Sequence, residues 1–442
     1  MEVVPKGSSD YDDARSATVW NARTPDRFPA VVVKASSEED VIAAVRDARA
    51  AGRSVTVRSG GHSWAGNHLR DGVTLIDLSE MNSIVSVDRD EMTAIAEPGC
   101  YGNDLIAALD ELDLFFPVGH CEGVGMGGYL LQGGYGWNSR ALGPACMSVE
   151  GVDVVTADGE LVHASADENP DLYWAARGSG PGFFGVVVRF HLRLHPKPKL
   201  FVNAAYLYPI ELLDEVFTWV HAIGPDVGVQ MEMMALIHHG FDGDGLEIAV
   251  AGPVFAESED EAREVLSILE TCPVLDRAKI AIPYAPVTVE QLTAAASETY
   301  PENHRYGVDN IWTHADAGQL IPGIRRIAET NPGAPSHMLW MNWAPSNPDT
   351  PPRPDMAYSV EDETYIAAYG IWADAADDDA NLPWATERLR EMEHLSTGIQ
   401  LADENLERRT GRFMSDENYE RYDAIRSAWD PEHLFCSWAA RP

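Results

Sequence analysis

The chain has 442 residues, a length that predicts two or three domains or one large two-lobed enzyme. Lys and Arg number 32 against 70 Asp and Glu, so the net charge of −38 disfavours nucleic acid and anionic lipid as partners. A hydrophobic content of 45% allows a sizeable core and excludes global disorder. The first ten residues contain no apolar signal core, and no apolar run reaches the length of a membrane span, so we expect a cytoplasmic protein.

The first part of the chain predicts a β-α-β start. A buried strand over 30–35 leads through Ser36-Ser37 into a helix that ends near Gly52, and a second strand covers 54–58. Strands are predicted next at 74–78 and 93–97, a helix at 103–112, a hairpin at 152–164 and a strand at 184–194. The proline-rich segment 195–199 then predicts a domain boundary.

Residues 200–400 predict strands alternating with acidic helices. Candidate strands cover 230–237, 246–254, 337–344, 364–372 and 397–402, and helices cover 260–269 and 316–329. His238 and His239 lie at a strand end without a third ligand at useful spacing, so the sequence predicts no metal site.

A first glycine loop, Arg58-Ser-Gly-Gly-His62-Ser-Trp-Ala-Gly66, directly follows a predicted strand. Gly60 and Gly61 allow positive φ and close approach by a ligand, so successive N–H groups can surround a pyrophosphate and His62 can lie beside a ring. Taken alone, the motif is more typical of a tight turn whose histidine makes a local hydrogen bond.

A second loop contains eight glycines between Pro117 and Trp137, too many for an ordinary helix or strand. Its Gly123-x-Gly125-x-x-Gly128 spacing matches the dinucleotide fingerprint literally. That fingerprint needs an uninterrupted helix after the third glycine, whereas further glycines follow within eight residues, so we reject a Rossmann site. The backbone is instead predicted to pass close to a ligand.

Together the loops resemble the FAD-linked oxidases of the berberine bridge enzyme type, within the vanillyl-alcohol oxidase superfamily. The resemblance spans nearly the whole chain. It rests on Arg58 to Trp64, Gly119-x-Cys121-x-x-Val124-Gly125-x-Gly127-Gly128, Gly133-Gly134-Tyr135-Gly136, Asn169-Pro-Asp-Leu-Tyr-Trp174 with Arg177-Gly178, Asn418-Tyr419, Asp430-Pro431 and Leu434-Phe435.

The resemblance implies an α+β fold with two lobes. One is a PCMH-type FAD-binding domain over 1–198, to which 404–442 return; the other is a substrate-binding domain over 199–403, with an antiparallel sheet backed by helices. It also implies FAD bound bicovalently, through the flavin 8α-methyl to His62 and through flavin C6 to Cys121. The residues implied to contact the flavin are Arg58, Ser59, Gly60, Gly61, Ser63, Val124, Gly125, Gly128, Tyr129, Gly133, Gly134, Gly136, Trp137, Val154 and Asn418.

The residue type supports the role of Cys121 independently. A cysteine among glycines has no large neighbours to bury it, so its sulfur is reachable. The other cysteines, Cys100, Cys146, Cys272 and Cys436, are expected to fill core positions. In the resembling family, valine three residues after the linked cysteine leaves space for O₂ at the reduced flavin. Val124 therefore predicts an oxidase.

The catalytic base is the point where the chain departs from the family. Many relatives carry a tyrosine on the strand aligned with 398–402, where this chain offers Gln400 or Leu401. Strand alternation allows Tyr369, Glu232 and Gln400 to face one sheet surface, and the first two can titrate. The alternative is that Tyr369 packs in a sheet interior and Glu232 is solvated.

We therefore expect an FAD-dependent oxidase that takes hydride from a hydroxyl-bearing carbon of a sugar or secondary metabolite, with O₂ as acceptor and H₂O₂ as product. The alternatives are an oxidative ring-closing or amine-oxidising enzyme of the same fold, and a flavin-binding scaffold without turnover. The absence of the family tyrosine motivates the scaffold hypothesis.

Overall fold

A computed structural model describes residues 1–240 and 245–441. The strands within these residues are β1 Glu2–Pro5, β2 Val31–Lys34, β3 Val55–Arg58, β4 Thr74–Asp77, β5 Ile84–Asp88, β6 Thr93–Ala96, β7 Leu114–Phe115, β8 Val149–Val155, β9 Leu161–Ser165, β10 Val186–Arg193, β11 His195–Pro196, β12 Leu200–Pro209, β13 Met234–His239, β14 Leu246–Ala256, β15 Ile280–Pro286, β16 Arg305–Thr313, β17 His337–Asn342 and β18 Thr364–Trp372. The helices are α1 Tyr11–Ser16, α2 Glu38–Ala50, α3 Gly102–Asp110, α4 Met126–Leu131, α5 Ser139–Leu142, α6 Pro170–Ala176, α7 Leu213–Ile223, α8 Glu259–Leu266, α9 Val289–Thr299, α10 Ala317–Glu329, α11 Asp378–Asn381, α12 Trp384–Glu391 and α13 Asp416–Trp429. None of these helices combines the length and apolar character of a membrane span.

Two sheets form the N-terminal part. The first has the order β1-β2-β4-β3, and both β2 and β3 pair in parallel with β4, which confirms the predicted β-α-β start. Ser37 caps α2 by accepting a hydrogen bond from the Asp40 N–H at 3.3 Å. The second sheet is antiparallel, with the order β5-β6-β10-β8-β9. Both sheets contribute residues to one core.

A seven-stranded antiparallel sheet, ordered β15-β12-β14-β13-β17-β18-β16, forms the second part. Residues from α7, α8, α10 and α12 cover one of its faces. Side chains alternate along β18, so Ile366 and Ala368 pack under these helices whereas Tyr365 and Tyr369 join a separate aromatic cluster on the other face. The predicted α+β class, with an antiparallel sheet backed by helices, is confirmed.

Two predicted strands differ from the structure. The strand expected at 230–237 begins only at Met234, and 397–402 forms no strand. Gly398 makes a single bridge to Trp312, and a turn of 3-10 helix follows over Leu401–Asp403. The Asn310 side chain replaces the missing ladder, because its amide accepts from the Gln400 N–H at 2.7 Å and donates to the Gln400 carbonyl at 3.0 Å.

Strands β12, β15 and β16 were not predicted. Strand β15 contains Pro283 and ends at Pro286, and it lies at a sheet edge, where missing N–H donors are tolerated. Strand β16 contains Asp309 and Asn310, residue types that strands normally avoid. Arg409 compensates by donating to both carboxylate oxygens of buried Asp309, at 3.0 and 2.6 Å.

Buried Arg140 joins the two parts of the molecule. Arg140 lies in α5 of the N-terminal part, and its guanidinium donates to the carbonyls of Val227, Gly228, Met231 and Trp343. Burial lowers the pKa of Arg140 to about 10, so the group stays charged at neutral pH. A buried carbonyl left without its donor costs about 1–3 kcal/mol. The four contacts therefore tie the second part firmly to the first.

The C-terminal segment packs on the N-terminal core. Leu401, Leu406 and Phe413 lie in that core, and so do Tyr419 and Tyr422 of α13. These contacts support our proposal that the chain returns to the first lobe near residue 404. The exact division into 1–198, 199–403 and 404–442 stays a prediction.

Candidate active site

A cavity of about 1180 Å³, its open mouth included, lies along the two glycine loops. The predicted flavin contacts that line it are Arg58, Ser59, Gly60, Gly61, His62, Ser63, Val124, Gly125, Gly128 and Tyr129. The structure thus brings together most of both loops around one space.

The loops touch backbone to backbone. A Cβ atom added to Gly60 would lie 2.5 Å from the Gly125 nitrogen, and one added to Gly125 would lie 2.6 Å from the Gly60 nitrogen. Gly61 has a φ of +76°, and a Cβ there would lie 2.4 Å from the Thr18 carbonyl oxygen. Glycine is required at all three positions, and their N–H groups remain available along the cavity wall.

Arg58 holds the first loop in place rather than pointing freely at a ligand. Its guanidinium forms an ion pair with Asp77 at 2.9 Å and donates to the carbonyls of Thr18 and Gly60. Ser59 connects the two loops, because its hydroxyl accepts from the Gly128 N–H at 3.2 Å. The glycine-rich walls of the cavity and the neighbouring histidine and cysteine fit FAD.

His62 stacks on Trp20, with ring centroids 4.9 Å apart, and its Nε2 faces the backbone of Gly123 in the second loop. Burial, reinforced by the charge of Arg58, lowers the pKa of His62 to about 4. The imidazole is therefore neutral at physiological pH. A neutral ring nitrogen carries the lone pair that bond formation to carbon requires.

Cys121 is partly exposed in the second loop, as predicted. Burial of its sulfur and the nearby Asp403 carboxylate raise the pKa of Cys121 to about 12, so the group is a thiol at neutral pH. Cys100, Cys146 and Cys272 are buried, in agreement with a core role. Cys436 differs from that expectation because it lines the cavity.

The remaining predicted contacts in the second loop lie behind the cavity wall. Gly134 and Gly136 lie against the ring of Tyr129, whose hydroxyl donates to the Pro117 carbonyl at 2.7 Å. Gly133 faces Tyr358. The Trp137 indole donates to Thr293 at 3.0 Å. In this structure these residues shape the loop rather than form the lining.

Val154 and Asn418 also lie outside the lining. Val154 is buried in β8 behind Gly185, which does line the cavity. The Asn418 amide donates to the carbonyls of Met356 and Ala357, at 3.0 and 3.1 Å. The family resemblance alone predicted flavin contacts for these two residues. In the structure, Val154 packs in the core and Asn418 makes hydrogen bonds at the start of α13.

The aromatic face of the large sheet contains one buried carboxylate, Asp403. Trp64 donates to its Oδ1 at 2.6 Å, Tyr369 donates to its Oδ2 at 2.8 Å, and Tyr365 donates to the same Oδ2. Burial raises the pKa of Asp403 above its ordinary value, although the three donors oppose the rise. Leu401, two residues earlier in the chain, lines the cavity, which places this network next to the glycine loops.

Tyr369 lies at the centre of an aromatic group. Its ring stacks on His337, with centroids 4.8 Å apart, and Tyr300 approaches it edge-on at 5.0 Å. Burial, followed by the Asp403 charge, raises the pKa of Tyr369 well above its usual range. The phenol is therefore protonated at neutral pH and needs a partner such as Asp403 to take its proton.

Glu232 does not lie in a strand and is not solvated, which corrects both sequence interpretations of this residue. It is fully buried, and its carboxylate accepts from the Ser139 N–H at 3.1 Å and lies 3.1 Å from His120 Nε2. Both oxygens are engaged, so Glu232 orients the residue that precedes Cys121. Gln400 is buried before the 3-10 turn and is held through its backbone by Asn310.

Sequence reasoning missed Asp403, Tyr300 and His120. Asp403 directly follows the segment aligned with the family tyrosine, and an acidic residue ending an apolar run was the only available signal. Tyr300 and His120 carry no local signal, because only the folded chain brings them near Cys121 and Glu232.

Comparisons with known proteins agree with this geometry. A family model described as an FAD binding domain matches residues 29–165. The FAD-linked oxidoreductase nodO of Hypoxylon pulicicidum is 33% identical over 432 residues, covering 96% of this chain and 93% of that protein. Xylooligosaccharide oxidase of Thermothelomyces thermophilus is 37% identical over 195 residues, covering 42% of this chain and 39% of that protein.

The crystal structure of 6-hydroxy-D-nicotine oxidase from Arthrobacter nicotinovorans has the same fold. It superposes with a TM-score of 0.84 at 22% identity and covers 100% of this chain and 97% of that one. The family assignment rests on the nodO match, which extends over most of both chains. The FAD-binding region and the shared fold agree with it. The chain belongs to the FAD-linked oxidoreductases, with a fold that berberine bridge enzyme-like proteins share, and its cofactor is FAD.

Proposed function

We propose that the protein is an FAD-dependent oxidase that acts on a hydroxyl-bearing carbon of a sugar or secondary metabolite, with O₂ as acceptor and H₂O₂ as product. The observation that carries this proposal is the hydrogen bond from Tyr369 to buried Asp403, beside the two flavin loops. Oxidation of an alcohol needs a proton acceptor at this place, and the pair supplies one.

His62 and Cys121 would hold the cofactor covalently. The neutral imidazole of His62 and the thiol of Cys121, a partly exposed residue, belong to loops that touch each other at Gly60 and Gly125. Bound FAD supplies a two-electron acceptor for the hydride that leaves the substrate carbon. The protein's own part is to position that carbon and to remove the hydroxyl proton.

Tyr369 and Asp403 divide the proton transfer between them. The Tyr369 oxygen accepts the proton of the substrate hydroxyl while its own proton passes to Asp403 Oδ2, 2.8 Å away. The raised pKa of Asp403 makes the carboxylate a better proton acceptor than an exposed aspartate. Trp64 and Tyr365 keep their hydrogen bonds and hold the carboxylate in position.

The aromatic face suits a flat or ring-shaped substrate. Trp64 contacts the rings of Tyr300, Tyr306 and Tyr369, and aromatic rings stack on sugar and aromatic faces alike. Similarity to a xylooligosaccharide oxidase supports the sugar class, whereas the fold shared with a nicotine oxidase keeps amines as the alternative.

Anaerobic mixing with panels of sugars, phenols and amines tests the substrate class and the scaffold alternative together. Bleaching of the flavin absorbance by any member excludes a scaffold without turnover. Bleaching by amines alone contradicts action on an alcohol carbon. Product NMR then separates simple oxidation from ring closure, because both remove two hydrogens and give the same mass, but only ring closure consumes a hydroxyl or amine nucleophile elsewhere in the product.

The double attachment of FAD can be tested by variants. In His62→Ala the Cys121 bond can still form, and in Cys121→Ala the His62 bond can, so both proteins should keep acid-stable yellow colour. The double variant should release free flavin on acid precipitation, measured in the supernatant. Cys436→Ala is the matched control, because this cysteine lines the cavity without a predicted bond. Release from both single variants would show that the attachment sites are wrong.

Tyr369→Phe keeps the ring and removes the proton-accepting oxygen. Loss of a general base costs about 10²–10⁴ in rate, so anaerobic flavin reduction should slow by that factor in stopped flow. Tyr173→Phe removes another buried phenol, which donates to the Val149 carbonyl, and should leave the rate unchanged. An effect of less than about tenfold would remove Tyr369 from the proton path.

Asp403→Asn should change how stability depends on pH. Because burial raises the folded-state pKa of Asp403, its contribution to stability is full below the unfolded pKa and is lost as pH rises through the folded pKa. Tm of the variant minus Tm of the wild type should therefore increase from about pH 4 upward. Asp12→Asn on exposed α1 controls for removal of a surface carboxylate. A difference that is constant with pH would show that the Asp403 pKa is not raised.

Val124→Leu tests access of O₂. Val124 is half-buried, packs against the N-terminal core and lines the cavity. Leucine adds a methylene beside the cavity, where a packed interior has few voids to receive it, so reoxidation by O₂ should slow strongly. Anaerobic reduction should stay nearly unchanged, and Val124→Ala should not slow reoxidation. Equal effects of leucine on both half-reactions would contradict a role in O₂ access.

A further inference from the structure

Two histidines and an aspartate meet on the five-stranded sheet, in a group that the flavin chemistry does not use. Asp153 lies on β8, His163 on β9 and His191 on β10, so one residue comes from each of three neighbouring strands. One nitrogen or oxygen atom of each residue lies within 4.8 Å of the other two. We call this group the Asp153 cluster.

Strand pairing explains why the three side chains meet. His163 pairs directly with Asp153 across β8 and β9, and His191 pairs with Gly151 across β8 and β10. Residues 151 and 153 share one face of β8, because side chains alternate along a strand. All three polar side chains therefore point to the same side of the sheet.

Gly151 makes room for the imidazoles. A Cβ atom at position 151 would lie 2.9 Å from His163 Cε1 and 3.2 Å from its Nε2. With no side chain at position 151, the ring centroids of His163 and His191 lie 5.0 Å apart, and the two rings are perpendicular to each other. Glycine weakens the interior of a strand because it has no side chain to pack. At position 151 the ring of His163 occupies the space that a side chain would fill.

The distances suit a divalent transition metal. His163 Nδ1 lies 2.7 Å from Asp153 Oδ1, and His191 Nε2 lies 3.2 Å from Asp153 Oδ2. Ligands of tetrahedral zinc, bound at about 2.1 Å, lie about 3.4 Å from one another. The imidazoles of His163 and His191 are 37% and 31% exposed, whereas Asp153 is 14% exposed and the Nε2 atom of His191 is itself buried.

Arg189 is the feature that opposes a cation here. Its guanidinium lies 3.7 Å from Asp153 Oδ2, but its other nitrogen forms a closer ion pair with Glu38 of α2, at 2.6 Å. Glu38 can therefore hold Arg189 while Asp153 binds a metal. The positive charge lowers metal affinity without blocking the ligands.

We propose that Asp153, His163 and His191 form a binding site for a divalent transition-metal ion, with Zn²⁺ as the expected occupant. Two imidazoles and one carboxylate are ligands that zinc accepts, and water completes the coordination. The ion would join edge strand β9 to β8 and β10. On its opposite face, β8 contributes Val152 and Val154 to the flavin-domain core.

The test uses the flavin-loaded protein after chelator treatment. Equilibrium dialysis with Zn²⁺ should give one ion per chain, and Co²⁺ should develop the visible absorption of four-coordinate cobalt at wavelengths beyond the flavin band. Zinc should raise Tm, because an ion that binds only the folded state stabilises it. His163→Gln and His191→Gln should each weaken zinc binding at least about tenfold.

Two further variants make the result specific. His314→Gln is the matched control, because His314 also lies 2.7 Å from a carboxylate, that of Asp362, but has no third ligand in the same group among the residues that the structure describes. It should bind zinc as the wild type does. Arg189→Gln should bind more tightly, a gain that misfolding cannot produce.

Failure of the wild type to bind one zinc ion, or equal losses in His163→Gln and His314→Gln, would overturn the proposal. Unchanged binding in Arg189→Gln would contradict the assigned geometry. None of these measurements depends on substrate turnover, so the outcome is independent of the proposed oxidase activity.

Discussion

The contact between Gly60 and Gly125 is the constraint on which the site depends. The loops follow different strands and are more than sixty residues apart, yet their backbones meet with no space for a single carbon atom on either glycine. This approach places His62 opposite Gly123 and thereby brings the histidine near the loop that carries Cys121. Any side chain at either glycine would separate the loops and widen the cavity. The glycines therefore determine the spacing of the two expected attachment points before any cofactor binds.

Asp403 has a comparable role on the substrate side. A carboxylate buried among aromatic rings is costly unless donors surround it, and three donors from Trp64, Tyr365 and Tyr369 meet this need. The same three hydrogen bonds fix the orientation of the rings around the carboxylate. The buried carboxylate of Asp403 would destabilise an ordinary core, but here its hydrogen bonds fix the positions of the surrounding aromatic side chains. The site consists of a flavin cavity bordered by the two glycine loops, next to the buried carboxylate of Asp403.

Local sequence patterns predicted the elements whose structure depends mainly on residues close together in the chain. Glycine density predicted both loops, and hydrophobic runs with capping residues predicted α2 and β18 with nearly correct bounds. Asp403 could not be predicted in this way, because its place beside Tyr369 depends on the Asn310 side chain, ninety residues earlier, replacing a strand ladder. Glu232 was misinterpreted for the same reason, since only distant His120 and Ser139 make its burial tolerable. Flavin contacts implied by the family resemblance line the cavity mostly where they belong to the touching segments around Gly60 and Gly125. Val154 and Asn418 lie outside those segments and do not line it.

The four carbonyls bound by Arg140 have a consequence for how substrates reach the site. Many two-lobed enzymes admit their ligands by hinge motion between lobes, but here such a motion would separate a buried cation from every acceptor that it has in the other lobe. The free-energy cost of several unsatisfied buried groups makes that opening rare on the time scale of turnover. Exchange of substrate and product must then proceed through side-chain and loop movements around a rigid frame. Such an enzyme would select substrates by the width of its entrance as much as by the chemistry at its base.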